Sequence, residues 1–383
     1  MGQGQQVTES EICLLLNQQR YPEAEQAARS MTVALPRGGF GWKALGAVLH
    51  HQGRSADAIA SMQEAVRLLP GDAEAHANLG HAYNACGLLD AAEAHFQCAL
   101  ALAPTCSPFL VDIGAICLRR GQLPLAINHF RRALELRLYQ ASQQAGPVMR
   151  PTFDTPAHEA LLWQTLEELA HAGVHAFAHA GTLLGLEREG HLLPFDKDLD
   201  LGLPYAERGI AHACLLASGW KEDVSIFGLV NPRSYQHIET GLALDLCFFR
   251  VEDGTGKTIS GFWLDQIPQQ WNRITEYPTL NLVRQKRPSG WIWALAEPHP
   301  WLQALYNDWR TPDPDFDTTI GAYNQRGFSL LSQCFAFMRI FYHWHRGDLQ
   351  KALTTTRHSL RQLPDDTLLQ QVHLHLQAAR ERT

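Results

Sequence analysis

The sequence predicts a multidomain chain: an all-α helical-repeat solenoid, then an α/β domain, then a helical C-terminal hairpin. Three observations carry that fold class. The first third matches itself when shifted by 34 residues. Past the middle of the chain the apolar period alternates between helix-like and strand-like stretches. Within that region acids recur on every other position, at Asp196, Asp198 and Asp200. The chain has 383 residues, 45% hydrophobic and 19% charged. That leaves apolar mass for two to three domains of roughly 150 residues each and excludes a disordered chain. A net charge of −7 argues against a polyanion binder, so no nucleic-acid partner is expected. No apolar run reaches the roughly 18 residues of a membrane span. Met1 to Ser10 is polar, without a basic start followed by an apolar stretch, so no signal peptide is expected. The eight cysteines form no Cys-x-x-Cys pair and lie in apolar contexts. They predict reduced thiols and a cytoplasmic address.

The repeats come first along the chain. Trp42, Leu45 and Gly46 are followed by His76, Leu79 and Gly80, then by Leu110, Ile113 and Gly114. Gly53, Gly87 and Gly121 keep the same interval, as do Ala58, Ala92 and Ala126. Met62, Phe96 and Phe130 do too, then Ala65, Ala99 and Ala133, with Pro70 and Pro104 completing the unit. Small residues let two antiparallel helices approach, large ones fill the space between them, and each proline ends its helix. This spacing resembles the tetratricopeptide (TPR) repeat. Three clear units and a degenerate one around Tyr21, Ala24 and Pro36 span residues 8–138. The concave face of such a solenoid offers a groove to a protein partner, or serves only as a scaffold. At the far end Gly347, Ala352, Ser359 and Pro364 repeat the offsets of Gly53, Ala58, Ala65 and Pro70. A TPR-like hairpin over Leu330 to Leu363 and a trailing helix over Asp365 to Arg382 are therefore expected in residues 329–383. Arg339 and Ile340 stand where the repeats carry leucine and glycine.

Residues 139–155, with Gly146, Pro147 and Pro151, read as a linker. The α/β domain, 156–328, opens with a helix to about Ala172 and a short strand from His175 to Ala180. The segment Gly181 to Leu203 then couples a glycine turn to the acids. Strand alternation places Asp196, Asp198 and Asp200 on one face and Leu199, Leu201 and Leu203 on the other. Like charges so close repel unless a cation joins them. Oxygen-only ligands suit Mg²⁺ or Mn²⁺. The apolar run Gly241 to Phe249 reads as a buried strand holding one acid, Asp245. An isolated buried carboxylate is costly unless it binds metal or a base. The expected metal ligands are Asp198, Asp200 and Asp245.

A glycine-Ser/Thr turn, D-x-D on the next strand and a lone Asp on a later one resemble the nucleotidyltransferase fold. The wording G-T-L-L-G, Arg188, then Leu193-Pro194-Phe195-Asp196-Lys197-Asp198-Leu199-Asp200 resembles its LicD/fukutin branch. Leu244-Asp245-Leu246 matches the branch's later Asp motif. Trp301-Leu302, Leu305-Tyr306 and Asp308-Trp309 with Pro312 look like its closing signature. Lys197, Phe195 and Asn307 depart from it, Asn307 replacing the usual glycine. The resemblance, over about residues 155–325, implies a cation-dependent phosphotransferase. Such an enzyme moves phosphocholine or a polyol phosphate from a CDP-activated donor to a glycan or other hydroxyl acceptor. It also implies catalytic roles for Asp196, Asp198, Asp200 and Asp245, Asp196 or Asp245 receiving the acceptor's proton. Backbone N–H groups of Gly181 and Thr182 would meet phosphate, with Arg188 and Lys197 as clamps. Two other readings stand beside this one: a nucleotidyltransferase using an NTP directly, and a TPR adaptor whose transferase domain is inactive. His175 and His179 read as packed or hydrogen-bonded. Arg284, Lys286 and Arg287 near Trp291 and Trp293 form a small basic run, a solvated loop or a steering patch for an anion.

Overall fold

Helix-forming stretches separated by glycine turns build the first of two compact units, Met1–Gln140; the second is Ala141–Thr383. A computed structural model describes residues 8–139, 155–194, 196–223, 227–313 and 315–382. The expected linker at 139–155 lies almost wholly outside these residues, as does Phe195. No described helix is long and apolar enough to cross a membrane.

The first unit pairs α1 (Glu9–Asn17) with α2 (Tyr21–Ala34), α3 (Gly39–His51) with α4 (Ser55–Leu68), α5 (Ala73–Ala85) with α6 (Leu89–Leu102), and α7 (Ser107–Arg119) with α8 (Leu123–Tyr139). Close approach explains the glycine on each first helix. A Cβ on Gly46 would lie 2.4 Å from Met62, one on Gly80 2.7 Å from Phe96, and one on Gly114 2.6 Å from Phe130. The hairpin turns of the three clear repeats have left-handed backbone, with φ of +75° at Gly53 and Gly87 and +71° at Gly121. In the first hairpin the sizes are exchanged. Ile12 holds the position of Gly46, Ala28 that of Met62, and both are fully buried.

The second unit begins with α9 (Thr155–His171), β1 (Phe177–Ala178), α10 (Ala180–Arg188), β2 (Asp198–Pro204) and α11 (Arg208–Ala217). Strands β3 (Trp220–Asp223), β4 (Arg233–His237), β5 (Ala243–Val251), β6 (Thr258–Phe262), β7 (Arg273–Tyr277), β8 (Leu282–Lys286) and β9 (Trp291–Leu295) follow. The chain closes with α12 (Pro298–Tyr306), α13 (Thr318–Gly321), α14 (Leu330–His345), α15 (Leu349–Gln362) and α16 (Thr367–Arg380). The sheet runs β1-β2-β5-β4-β3. Among the described residues only β2 and β5 pair parallel, while β6 joins the far end of β5 and β7 follows it. Strands β8 and β9 form a separate hairpin. Leu199, Leu201, Leu203, Leu244, Leu246 and Phe248 pack in one core with α9 and α11. The opposite face is acidic at its near end. At its far end Phe249, Tyr277, Trp301 and Leu305 form a second core.

Two sequence expectations change in register. The strand read over His175 to Ala180 is only Phe177–Ala178. His175 instead turns to Glu207, whose carboxylate accepts from its backbone N–H at 2.6 Å and meets its Nδ1 at 2.8 Å. Asp196 precedes β2, which starts at Asp198. The α14–α15 hairpin turns at Gly347, φ +77°, in the manner of the repeats. It also carries the exchanged sizes, with buried Ile340 and Thr356 at the two offsets. It is tied to the sheet by polar bonds. Arg339 pairs with buried Asp317 at 2.6 Å, and Arg273 of β7 donates to the carbonyls of Thr318 and Thr319.

Candidate functional site

The turn between β1 and α10 brings backbone against carboxylate. Ala180 stands at φ +39°, a conformation disfavoured for a residue with a Cβ. Gly181 follows, and here only glycine fits. A Cβ would lie 2.5 Å from Asp196 Oδ2 and 3.1 Å from Asp200 Oδ2. Three bonds then hold Asp200. Gly181 N–H donates to its Oδ2 at 3.0 Å, its own N–H donates to Thr182 Oγ1 at 2.8 Å, and its carbonyl accepts from His179 N–H at 2.9 Å.

Among the described residues, one group of three or more potential ligands has ligand atoms all within 4.8 Å of one another: Asp196, Asp198 and Asp200. The tight triad therefore takes Asp196, which precedes the strand, in place of the expected Asp245. Asp245 stands one strand away, whereas the bend before β2 folds Asp196 back against Gly181. Asp245 still belongs to the same surface. It is the Cα partner of Asp200 across the parallel pair. The Ser234 hydroxyl, from the antiparallel neighbour β4, donates to its Oδ1. The row continues through Ser234 to Asp223 at the sheet edge.

Burial and mutual repulsion raise the carboxyls. Burial and then the Asp198 charge push Asp196 up to about 7. Burial followed by Asp198, Asp196 and Asp245 drives Asp200 well above the ordinary range. Burial, again with Asp198, takes Asp245 to about 6. The ammonium of exposed Lys197 acts in the opposite sense on Asp196 and Asp245. The phenol of Tyr306 and the thiol of Cys247 are pushed well above their usual values, first by burial and next by the charge of Asp200. An all-oxygen donor set of mutually repelling, half-buried carboxylates fits a hard divalent cation.

Other expected contacts are reassigned. The Gly181 N–H, expected with that of Thr182 to meet phosphate, donates instead to Asp200, and the Thr182 hydroxyl accepts from the Asp200 N–H, because the turn lies against β2. The Arg188 side chain is only 10% exposed; it pairs with Glu189 at 2.8 Å and reaches the Trp309 carbonyl at 3.4 Å. It braces the loop after α12 and is not a free clamp. His179 is buried among Phe249, Tyr277 and Trp301 and held by burial at about 3, hence neutral. Ser234 and Tyr306 were not foreseen as site residues. Tyr306 lies inside the closing signature, whereas Ser234 has no signal except the pairing of β4 with β5.

Tetratricopeptide-repeat family models match residues 10–73 and 73–106. The N-terminal unit is thus a TPR array, and such repeats point to protein interaction. Among solved structures, MamA (from residue 41 to its end) of Desulfovibrio magneticus RS-1 is 25% identical, with 35% of this chain and 76% of that chain covered and a TM-score of 0.33. A thermophilic TPR protein of Thermus thermophilus is 24% identical, with 34% and 73% covered and a TM-score of 0.32. No curated protein matches the chain. The protein joins TPR repeats to a mixed sheet-and-helix unit that bears an acidic cluster.

Proposed function

We propose that the second unit is a divalent-cation-dependent phosphotransferase of the LicD/fukutin type, built on a nucleotidyltransferase fold. It moves a phosphorylated alcohol from a CDP-activated donor to a hydroxyl of a glycan or other acceptor, and the repeats recruit a protein partner to that reaction. The observation that carries the reading is the convergence of Asp196, Asp198 and Asp200 within 4.8 Å, with Asp245 beside Asp200 on the neighbouring strand. Asp198 and Asp200, with Asp196 or Asp245, would hold Mg²⁺ or Mn²⁺. When bound, that cation supplies positive charge against the donor's diphosphate and the departing CMP.

The chain's own residues do the rest. The α10 turn fixes Asp200 through Gly181, Thr182 and His179, so its oxygens are oriented before any substrate arrives. Ser234 orients Asp245, which takes the proton of the acceptor hydroxyl as its oxygen bonds phosphorus and the bond to CMP breaks. Lys197, exposed beside the acids, meets the donor's phosphates.

The test is product analysis of the full chain with Mg²⁺, offering CDP-choline or CDP-ribitol in parallel with NTPs. Release of CMP from a CDP donor supports the reading. Pyrophosphate release from an NTP, without CMP, replaces it with direct nucleotidyl transfer. Neither product, together with no thermal shift by Mg²⁺ and CDP-choline, leaves a TPR adaptor.

A further inference from the structure

The hairpin of β8 and β9 has one open edge. Strand β9 is anchored through Ile292, which shares a core with Leu162 and Leu166 of α9. Among the described residues β8 pairs with β9 alone, and its Val283, Arg284, Gln285 and Lys286 are all exposed. The register shows which backbone groups are free. Arg287 and Gly290 exchange both N–H···O bonds, and the Ala296 N–H donates to the Asn281 carbonyl. Antiparallel partners alternate between bonded and unbonded pairs. Leu282, Arg284 and Lys286, opposite Leu295, Trp293 and Trp291, are therefore the unbonded ones, and their N–H and C=O groups point outwards. We infer that β8 takes an added antiparallel strand from a partner protein, one that alternates acidic with β-branched residues and sets its acids opposite Arg284 and Lys286.

Charge and geometry specify this occupant. Strand alternation puts Arg284 and Lys286 on one face of the edge, and among the described residues neither has an ion-pair partner. Acids directly opposite on an added strand would pair with both. On the other face Val283 is 47% exposed, a place for a β-branched neighbour. Charge on an edge strand keeps unwanted strands away. Here it rejects a second copy of β8, which would set these two cations against their like, but it admits an acidic strand. A nucleic acid fits less well. Arg284 lies over Trp291 and Trp293 at 4.4 and 5.4 Å, and the His175 ring lies 4.4 Å from that of Trp293, so the indoles are covered against a stacking base. The free backbone groups alternate donor and acceptor, the pattern that a strand matches. Arg287, folded over Trp163 at 3.7 Å, lies beyond the paired segment. The other two bases of the run thereby gain a purpose that the sequence left open.

Fluorescence anisotropy of the full chain with a labelled peptide of alternating glutamate and valine tests the edge. N-methylation of the central glutamate, whose N–H faces β8, should weaken binding at least about tenfold, because an acceptor on β8 loses its bond. N-methylation of a valine, whose N–H faces water, should change affinity less than about twofold. Lys286→Gln should weaken binding about threefold by removing one cross-strand charge pair. Lys286→Pro also removes an outward N–H while leaving the bonds to β9, so it should weaken binding at least about tenfold. Unchanged melting shows that both variants fold, and the methylated peptides decide the matter without them. No binding of the peptide overturns the site. Equal tolerance of the two methylations, or equal binding of a single-stranded oligonucleotide, reduces the effect to charge and overturns it too. Equal binding of a peptide with lysine in place of glutamate overturns the acidic requirement. None of these outcomes depends on CMP release, so the edge stands or falls apart from the proposed activity.

Discussion

The repeat unit and the sheet unit solve different problems with the same small residue. In the repeats, glycine lets helices touch, and the contact recurs three times, Gly46 on Met62, Gly80 on Phe96 and Gly114 on Phe130. In the sheet unit, glycine lets backbone touch carboxylate, and among the described residues this close approach occurs once, at Gly181. The acids differ in parallel. Asp112 of the repeats is pushed up to about 7 by burial alone, with His81 at 3.7 Å. Asp196 reaches a similar value, but with a second carboxylate as its next cause. The first needs only a proton, whereas the second belongs to a group whose repulsion a cation can relieve. A redundant packing contact and an unrepeated charged one should therefore break differently.

The largest expected difference comes from removing one charge in each unit. Asp200→Asn should lower CMP release by at least about 10³-fold, roughly 4 kcal/mol on the barrier. It should not lower the melting temperature, because it deletes a buried like charge. Asp112→Asn should leave turnover within about twofold. Measurable turnover by Asp200→Asn, at more than a tenth of the original rate, would remove this residue from the site.

Next is the response to pH. The Asp196 carboxyl has a folded value of about 7 against an unfolded value near 3.9. Between those values the folded state holds more protons than the unfolded one, so stability falls as pH rises from about 4 to about 7. The loss is on the order of 4 kcal/mol for a three-unit difference, complete above that window, with Asp245 adding its share below about 6. Asp112 contributes in the same direction. Divalent cation should undo the portion due to the cluster alone. Melting with and without Mg²⁺ should thus show a larger gain at pH 8 than at pH 5, equally so in Asp112→Asn. The same gain at both pH values would mean that the cluster does not take the ion.

A smaller effect is expected from packing. Gly114→Val would drive a side chain into Phe130, overpacking that costs about 1–3 kcal/mol. Denaturant titration should show it as a lower midpoint for the repeat unit, while CMP release persists. An unchanged midpoint would mean that α7 and α8 separate freely.

How these features read in sequence follows from how far apart their parts lie. The clear repeats were legible because their contacts are local and recur. Gly181, Asp196, Asp198 and Asp200 were legible because they occupy one continuous segment. Strands β3, β4 and β6 to β9 were not, because antiparallel pairing across loops leaves no fixed interval, and β8 alternates among exposed arginine, glutamine and lysine. Ser234 was hidden for the same reason. The exchanged sizes at Ile12 with Ala28 and at Ile340 with Thr356 show another limit. A search for glycine at one position misses a hairpin that keeps one large and one small residue but exchanges the helices that carry them.

The smallest effect concerns Asn307, where the sequence departs from the glycine of the motif it resembles. Its backbone has φ +61° and ψ −95°, a positive-φ conformation that a residue with a Cβ rarely adopts and that carries strain. Glycine would adopt it without a Cβ clash but would lose more entropy on folding, so Asn307→Gly should gain under about 1 kcal/mol. For a unit of this size that is a rise of a few degrees in melting temperature. Gly53→Ala, at φ +75° in the repeat unit, should move the opposite way by about 1 kcal/mol. A lower melting temperature for Asn307→Gly would assign the position to its side chain, whose Oδ1 accepts from Gln303 at 3.3 Å. Asn307→Ala then decides between the two. It lacks both the acceptor and the freedom of glycine, so it should melt below both the original chain and Asn307→Gly if backbone strain governs, and level with Asn307→Gly if the hydrogen bond does.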